Sequence, residues 1–173
     1  MTNFRYPLGQ DIHDSEDLLS MIKVIIDGKI TMGSRVEAFE KTFAEYLGVK
    51  HAVMVNSGSS ANLLAVSALT NYKYSDKLNP GDEVLLPAPY WVSYSALAIL
   101  CEASFKEIPS SVETDFKITP QQLEAAITPK TKMVFFNSPN NPSGSIYSEA
   151  EYRALAKVIE KHPNIYVLSD EIY

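Results

Sequence analysis

Cysteine is nearly absent. Cys101 is the only one in 173 residues. A lone cysteine excludes an internal disulfide and any multi-cysteine zinc site, and it fits a reducing compartment. Excess positive charge is missing as well. Lys and Arg number 15 against 21 Asp and Glu, a net charge of -6 scattered along the chain. An acidic chain without a basic stripe argues against nucleic acid and anionic membrane as the main partner. No apolar run reaches the ~20 residues a membrane-spanning helix needs. The start, MTNFRYPLGQ, has no apolar h-region, so no secretory signal is expected and the cytoplasm is the expected location. No G-x-G-x-x-G follows a strand, no G-K-[ST] is present, and there is no G-x-S-x-G elbow. Dinucleotide, P-loop and hydrolase sites are thereby set aside. The histidines, His13, His51 and His162, show no metal-ligand spacing, so no metal is expected.

What is present is ordinary globular material, 46% hydrophobic and 21% charged. A chain of this length buries roughly 70% of its unfolded surface. Residues 1–14 read as an extended arm. The apolar residues from Leu18 to Ile26 are too crowded for one stripe, which predicts a well-covered helix stopped by Gly28. Val36, Phe39, Phe43, Tyr46 and Leu47 recur at three and four, a helix ended by Gly48. Short bounded apolar runs then predict strands at His51–Val55, Glu83–Leu86, Phe105–Ile108, Met133–Phe136 and Ile165–Leu168. Helices are predicted between them over Ala61–Leu69, Trp91–Leu100, Leu123–Ile127 and Tyr152–Ile159. Thr119-Pro120-Gln121-Gln122 and Ser148-Glu149-Ala150-Glu151 are capping sequences for the last two. Strands alternating with helices predict an α/β fold built on a mostly parallel sheet.

Such sheets bind ligands beyond the carboxyl ends of their strands. After His51–Val55 the small residues Asn56-Ser57-Gly58-Ser59-Ser60 lead into a helix start, a combination suited to phosphate. After Glu83–Leu86 comes Trp91, the single tryptophan, whose indole suits a flat heteroaromatic ring. After Met133–Phe136 the turn Asn137-Ser138-Pro139-Asn140-Asn141-Pro142 offers an amide donor. After Ile165–Leu168 comes Asp170, costly at the end of an apolar strand unless paired, so it wants a cation in the crevice. Each feature alone has an ordinary structural explanation: a capped turn, a core anchor, a turn for its own sake, a nearby Lys or Arg. Together they fit one ligand, a phosphorylated, protonatable, planar pyridine: pyridoxal 5'-phosphate.

The residues also carry a family resemblance. PAPYWVSY (87–94), FKITPQQLEAAITPKTKM (116–133), NSPNNPSG (137–144) and VLSDEIY (167–173) closely resemble fold-type I, pyridoxal-phosphate-dependent class I aminotransferases, above all bacterial aspartate aminotransferases. Residues 4–86, with RYPLGQD, KITMGSRVEAFEKTFAEYLGVKHAVMVNSGSSANLLAVSAL and LNPGDEV, resemble instead the sugar aminotransferase and dehydrase branch of that fold type. The seam falls near Glu83–Pro87. The resemblance implies a three-layer sandwich, the large domain of that fold in truncated form. It implies an N-terminal arm and helix over 1–30 and part of the cofactor-binding large domain over 31–173.

Carried over residue by residue, it assigns Gly58, Ser59 and Ser60 to the cofactor phosphate and Trp91 to the pyridine ring. It assigns Asn141 and Tyr173 to the ring's 3-oxygen and Asp170 to the ring nitrogen. Gly33, Trp91 and Asn141 are expected near substrate. The lysine that serves the family as base and Schiff-base partner is expected downstream of Tyr173, so no catalytic residue is assigned and the chain alone is expected to be inactive. The implied activity is amino transfer between an aspartate-like amino acid and a 2-oxo acid, by a homodimer. Two alternatives stay open: a sugar-nucleotide aminotransferase or pyridoxamine-phosphate-dependent dehydrase, and a non-catalytic remnant that binds the cofactor weakly or only pairs with other subunits.

Overall fold

The computed structural model describes residues 13–71, 73 and 77–172. It divides into two compact units, Met1–Met54 and Val55–Tyr173. Most of the arm expected over residues 1–14 lies outside the described residues.

Among the described residues the first unit carries two helices. Helix α1 (Ser15–Ile26) opens on a reciprocal capping box between Asp14 and Asp17, which satisfies donors that a helix start leaves unpaired. It ends at Asp27, and Gly28 takes the left-handed φ of 67° that makes it the expected stop. Helix α2 (Ser34–Leu47) starts after Gly33 and ends on Gly48, again at a φ of 67°. Phe39 and Phe43, one turn apart, stack with centroids 5.5 Å apart. The covering expected for α1 is not found. None of its residues is buried, and Ile25 is 66% exposed. Crowded apolar spacing records a need for cover without supplying it. The strand expected at His51–Val55 is also absent. Strands exist by pairing, and among the described residues this segment joins no ladder; the Met54 N–H goes instead to the Glu40 carboxylate at 2.8 Å.

The second unit is a sheet with helices on both faces. Its strands are β1 (Glu83–Pro87), β2 (Ser104–Ile108), β3 (Thr131–Asn137) and β4 (Tyr166–Asp170), in the order β2-β1-β3-β4. All three ladders are parallel. A parallel sheet is buried on both faces, which is why β1 and β3 read as unbroken apolar runs rather than alternating ones. Alternation reappears in the packing. Val84, Leu86, Met133 and Phe135 face one core, covered by α3 (Gly58–Leu69) and α4 (Ser93–Leu100) through Val66, Tyr94, Leu97 and Ala98. Leu85, Val134 and Phe136 face the other, covered by α5 (Pro120–Ala126) and α6 (Glu149–Ile159) through Leu123, Ala126, Leu155 and Val158. This is the α/β three-layer arrangement expected. Each fully buried side chain of that size contributes about 1.5–3 kcal/mol. The capping boxes read at Thr119 and Ser148 both form. The chain runs outward from β1 to β2 in one direction and from β3 to β4 in the other, so the strand order reverses between β1 and β3.

Candidate active site

The segments beyond the carboxyl ends of β1, β3 and β4 meet the start of α3 around one cavity of about 340 Å³. Ser57, Gly58, Ser59, Asn62, Trp91, Tyr94, Asn141, Asp170 and Ile172 line it. Gly58, Ser59, Trp91, Asn141 and Asp170, taken from the sequence as candidates, are thus brought together. Ser60 is not part of the lining. Gly33 lies in the other unit, as the extended residue before α2. Tyr173 falls outside the described residues.

At the start of α3 the Ser57 hydroxyl accepts from the Ser60 N–H at 3.2 Å, and the Ser57 carbonyl accepts from Ala61 at 3.0 Å. The helix's own cap takes those donors. The N–H groups of Gly58 and Ser59 stand ahead of the ladder, where a helix presents its positive end to an anion. A Cβ on Gly58 would come within 2.9 Å of the Ile172 side-chain tip.

The loop carrying Trp91 is pinned at several points. Ala88 donates to the Ile108 carbonyl at 2.9 Å, and the Ser110 hydroxyl donates to the Ala88 carbonyl. The Asn140 amide donates to the Pro89 carbonyl at 3.2 Å. The Tyr90 hydroxyl donates to Glu107 at 2.7 Å; burial, and then that carboxylate, push the Tyr90 phenol above its ordinary value. Trp91 meets Tyr94 edge to face at 5.8 Å, and Tyr94 in turn stacks on Phe135 of β3 at 4.9 Å.

The structure sorts the three asparagines of the second loop. Asn140 shapes the turn, accepting from the Ser143 N–H and hydroxyl at 3.1 and 2.8 Å. Asn137, buried at the end of β3, donates to the Asp170 carbonyl at 2.9 Å and accepts from the Asn141 N–H at 2.6 Å. Asn141 itself lines the cavity. Asn137 therefore ties the β4 terminus to the residue expected to contact ligand.

Asp170 closes the set. Its Oδ2 accepts from the Asn62 amide at 2.7 Å and from the Tyr94 hydroxyl at 2.8 Å. Among the described residues no Lys, Arg or His forms an ion pair with it. The carboxylate is thus held by neutral donors and faces a cavity in which no described lining residue is basic. Asn62, Tyr94 and Asn137 carried no role in the sequence. Their partner Asp170 lies 108, 76 and 33 residues away, and no local spacing reports such a contact.

A parallel sheet with a small-residue helix start, an indole, an amide and a carboxylate held by neutral donors gathered beyond its strand ends defines a class of ligand-binding α/β enzyme. Comparison with known proteins gives the family. The model for aminotransferase classes I and II matches residues 28–173, and the chain belongs to that family. It is 52% identical over 96 residues to the aspartate/prephenate aminotransferase of Cereibacter sphaeroides, covering 56% of this chain and 24% of that protein. To the enzyme of the same name from Nitrosomonas europaea it is 43% identical over 121 residues, 70% of this chain and 29% of that one. Among solved structures, the aspartate aminotransferase of Rhizobium meliloti superposes with a TM-score of 0.75 at 31% identity, covering 96% of this chain and 43% of that one. The Escherichia coli GDP-4-keto-6-deoxy-D-mannose-3-dehydratase with bound hydrated pyridoxal phosphate superposes at 0.80 and 30% identity, covering 96% and 40%. Both branches read from the sequence are represented. The chain spans about a quarter of the length of the curated relatives it matches.

Proposed function

We propose that this chain forms the cofactor-facing part of a pyridoxal-phosphate-dependent aminotransferase that moves an amino group between an aspartate-like amino acid and a 2-oxo acid. One observation carries the reading: Asp170, clamped by neutral donors and lacking a basic partner among the described residues, shares a cavity with Gly58, Ser59, Trp91 and Asn141. The donor set fits the cofactor. Gly58 and Ser59, with Ser60 behind them, would hold its phosphate at the positive end of α3. Trp91 would supply the aromatic contact to its ring, and Asn141 with Tyr173 would donate to its 3-oxygen. Asp170 would keep the ring nitrogen protonated. When bound, that protonated ring is the electron sink for breaking a substrate Cα–H bond. Asn141 is also proposed to face substrate. A homodimer in the cytoplasm goes with this reading.

The chain's own residues bind and orient. Removing the Cα proton needs a positioned base, typically worth 10²–10⁴-fold in rate, and among the described residues no lysine lines the cavity. We therefore expect this polypeptide to bind the cofactor without measurable turnover. Titration with pyridoxal 5'-phosphate, followed by absorbance, should give saturable binding that Asp170→Ala weakens strongly but leaves measurable. Overnight incubation with aspartate and 2-oxoglutarate should give no product. An Asp170→Ala variant that binds as well as the unaltered chain would overturn the assignment.

The dehydratase superposes better than the aspartate aminotransferase, 0.80 against 0.75, and residues 4–86 resemble its branch. This favours a second reading, a sugar-nucleotide substrate. A longer version carrying the full site, offered both amino acids and sugar nucleotides, separates the two.

A further inference from the structure

The Asp170 carboxylate is not left to find its own orientation. Asn62, 7% exposed, and Tyr94, 2% exposed, both donate to the same oxygen, Oδ2. Each is held from behind. Asn62 sits in α3, and Tyr94 is wedged between the Phe135 ring at 4.9 Å and the edge of Trp91. Two charge-assisted hydrogen bonds to one oxygen fix the carboxylate's rotation. Among the described residues Oδ1 meets no donor. Loss of either donor would leave Asp170 free to turn about its terminal bond, and a misaimed carboxylate pairs poorly with a ligand cation.

We infer that Asn62 is a positioning residue for Asp170, with Tyr94 as its second support, and that both act on the ring-nitrogen end of a bound pyridine cofactor. This rests on the proposed function above. The arrangement gives α3 two tasks. Its first turn, at Gly58 and Ser59, faces the phosphate end, and Asn62, one turn on, aims the carboxylate at the opposite end. The helix works as a ruler for the length of the ligand.

The test uses the full chain and two probes: pyridoxal 5'-phosphate and its 1-deaza analogue, in which CH replaces the ring nitrogen. Asn62→Leu keeps the forked heavy-atom skeleton, with bulkier methyl tips, and removes the donor. A lost hydrogen bond to a charged group should raise the dissociation constant for pyridoxal phosphate about tenfold. The deaza analogue, which offers Asp170 no proton, should lose less than about twofold. Tyr94→Phe, which deletes one oxygen, should show the same selectivity with about a threefold loss, and it carries the test if Asn62→Leu fails to fold. In the Asp170→Ala background either substitution should change nothing further, because coupling through one group is non-additive. Equal weakening of both probes, or full additivity with Asp170→Ala, would overturn the positioning role while leaving the cofactor reading intact. Failure of the unaltered chain to bind pyridoxal phosphate would overturn both.

Discussion

Asn137→Ala tests the bracing of the site from its least conspicuous member. The side chain is 6% exposed. It links the last residue of β4 to the loop after β3, through 2.9 Å to the Asp170 carbonyl and 2.6 Å from the Asn141 N–H. Truncation removes both bonds at once. An orphaned buried group costs ~1–3 kcal/mol. The two orphans here are not equal. The Asp170 carbonyl keeps a long contact from the Ser138 N–H at 3.4 Å, whereas the Asn141 N–H loses the Asn137 oxygen. Asp170 and Asn141 are both only half-buried, so water recovers part of the loss. The expected destabilisation is about 2 kcal/mol, read as a shift in the urea midpoint at unchanged slope. Pyridoxal phosphate affinity should fall as well, because Asn141 and Asp170 lose their common anchor. A midpoint within error of the unaltered chain would show that the loop and strand end are held by something else, and the bracing argument would fail.

Two further outcomes are expected. The Glu151 carboxyl is held down to about 2, first by the Lys117 ammonium 2.9 Å away and then by donation from Ser148. Depression of a carboxyl means that stability present above its ordinary 4.5 is lost as pH falls through 2; Lys117, raised by the same partner, adds stability below its ordinary 10.5 that is lost at higher pH. Urea titrations from pH 5 to 2 should therefore fall less steeply for Glu151→Gln, by a small margin because the side chain is 41% exposed and screened. Parallel slopes would contradict the pairing. Gly58→Ala should leave the melting temperature nearly unchanged, since its Cβ meets only the movable tip of the exposed Ile172, 2.9 Å away. It should weaken pyridoxal phosphate binding several-fold, and undiminished affinity would remove Gly58 from the phosphate end.

Much of the second unit is legible because its signals are local. The unbroken apolar runs of β1 and β3 follow from burial on both faces. Thr119 and Ser148 announce α5 and α6 through contacts three residues long. The candidate cavity is legible in part: Gly58, Ser59, Trp91, Asn141 and Asp170, each in a short local signature, line it, whereas Ser60 does not. What escapes is everything decided at a distance. His51–Val55 has strand composition, yet pairing needs a neighbour that composition does not report. The crowded apolar face of α1 is exposed for a similar reason: a pattern states which residues seek cover, and a partner decides whether they find it. Asp170 shows the middle case. Its need for partners is readable, but that neutral Asn62 and Tyr94 meet it rather than a basic side chain follows only from the folded arrangement.

The pairing of β3 with β4 sets Asn137 opposite Asp170 and Phe136 opposite Ser169. Side chains alternate between faces along a strand, so a one-step slip would turn Asp170 away from α3 and α4. Ser169 or Glu171 would stand in its place, and Asp170 would be away from the Asn62 and Tyr94 donors that it meets. Uptake of a coloured vitamin would then double as a proofreading signal: polypeptides with the last strand out of phase stay colourless however compact they become, and a spectrophotometer can count the correctly assembled fraction in a mixed preparation.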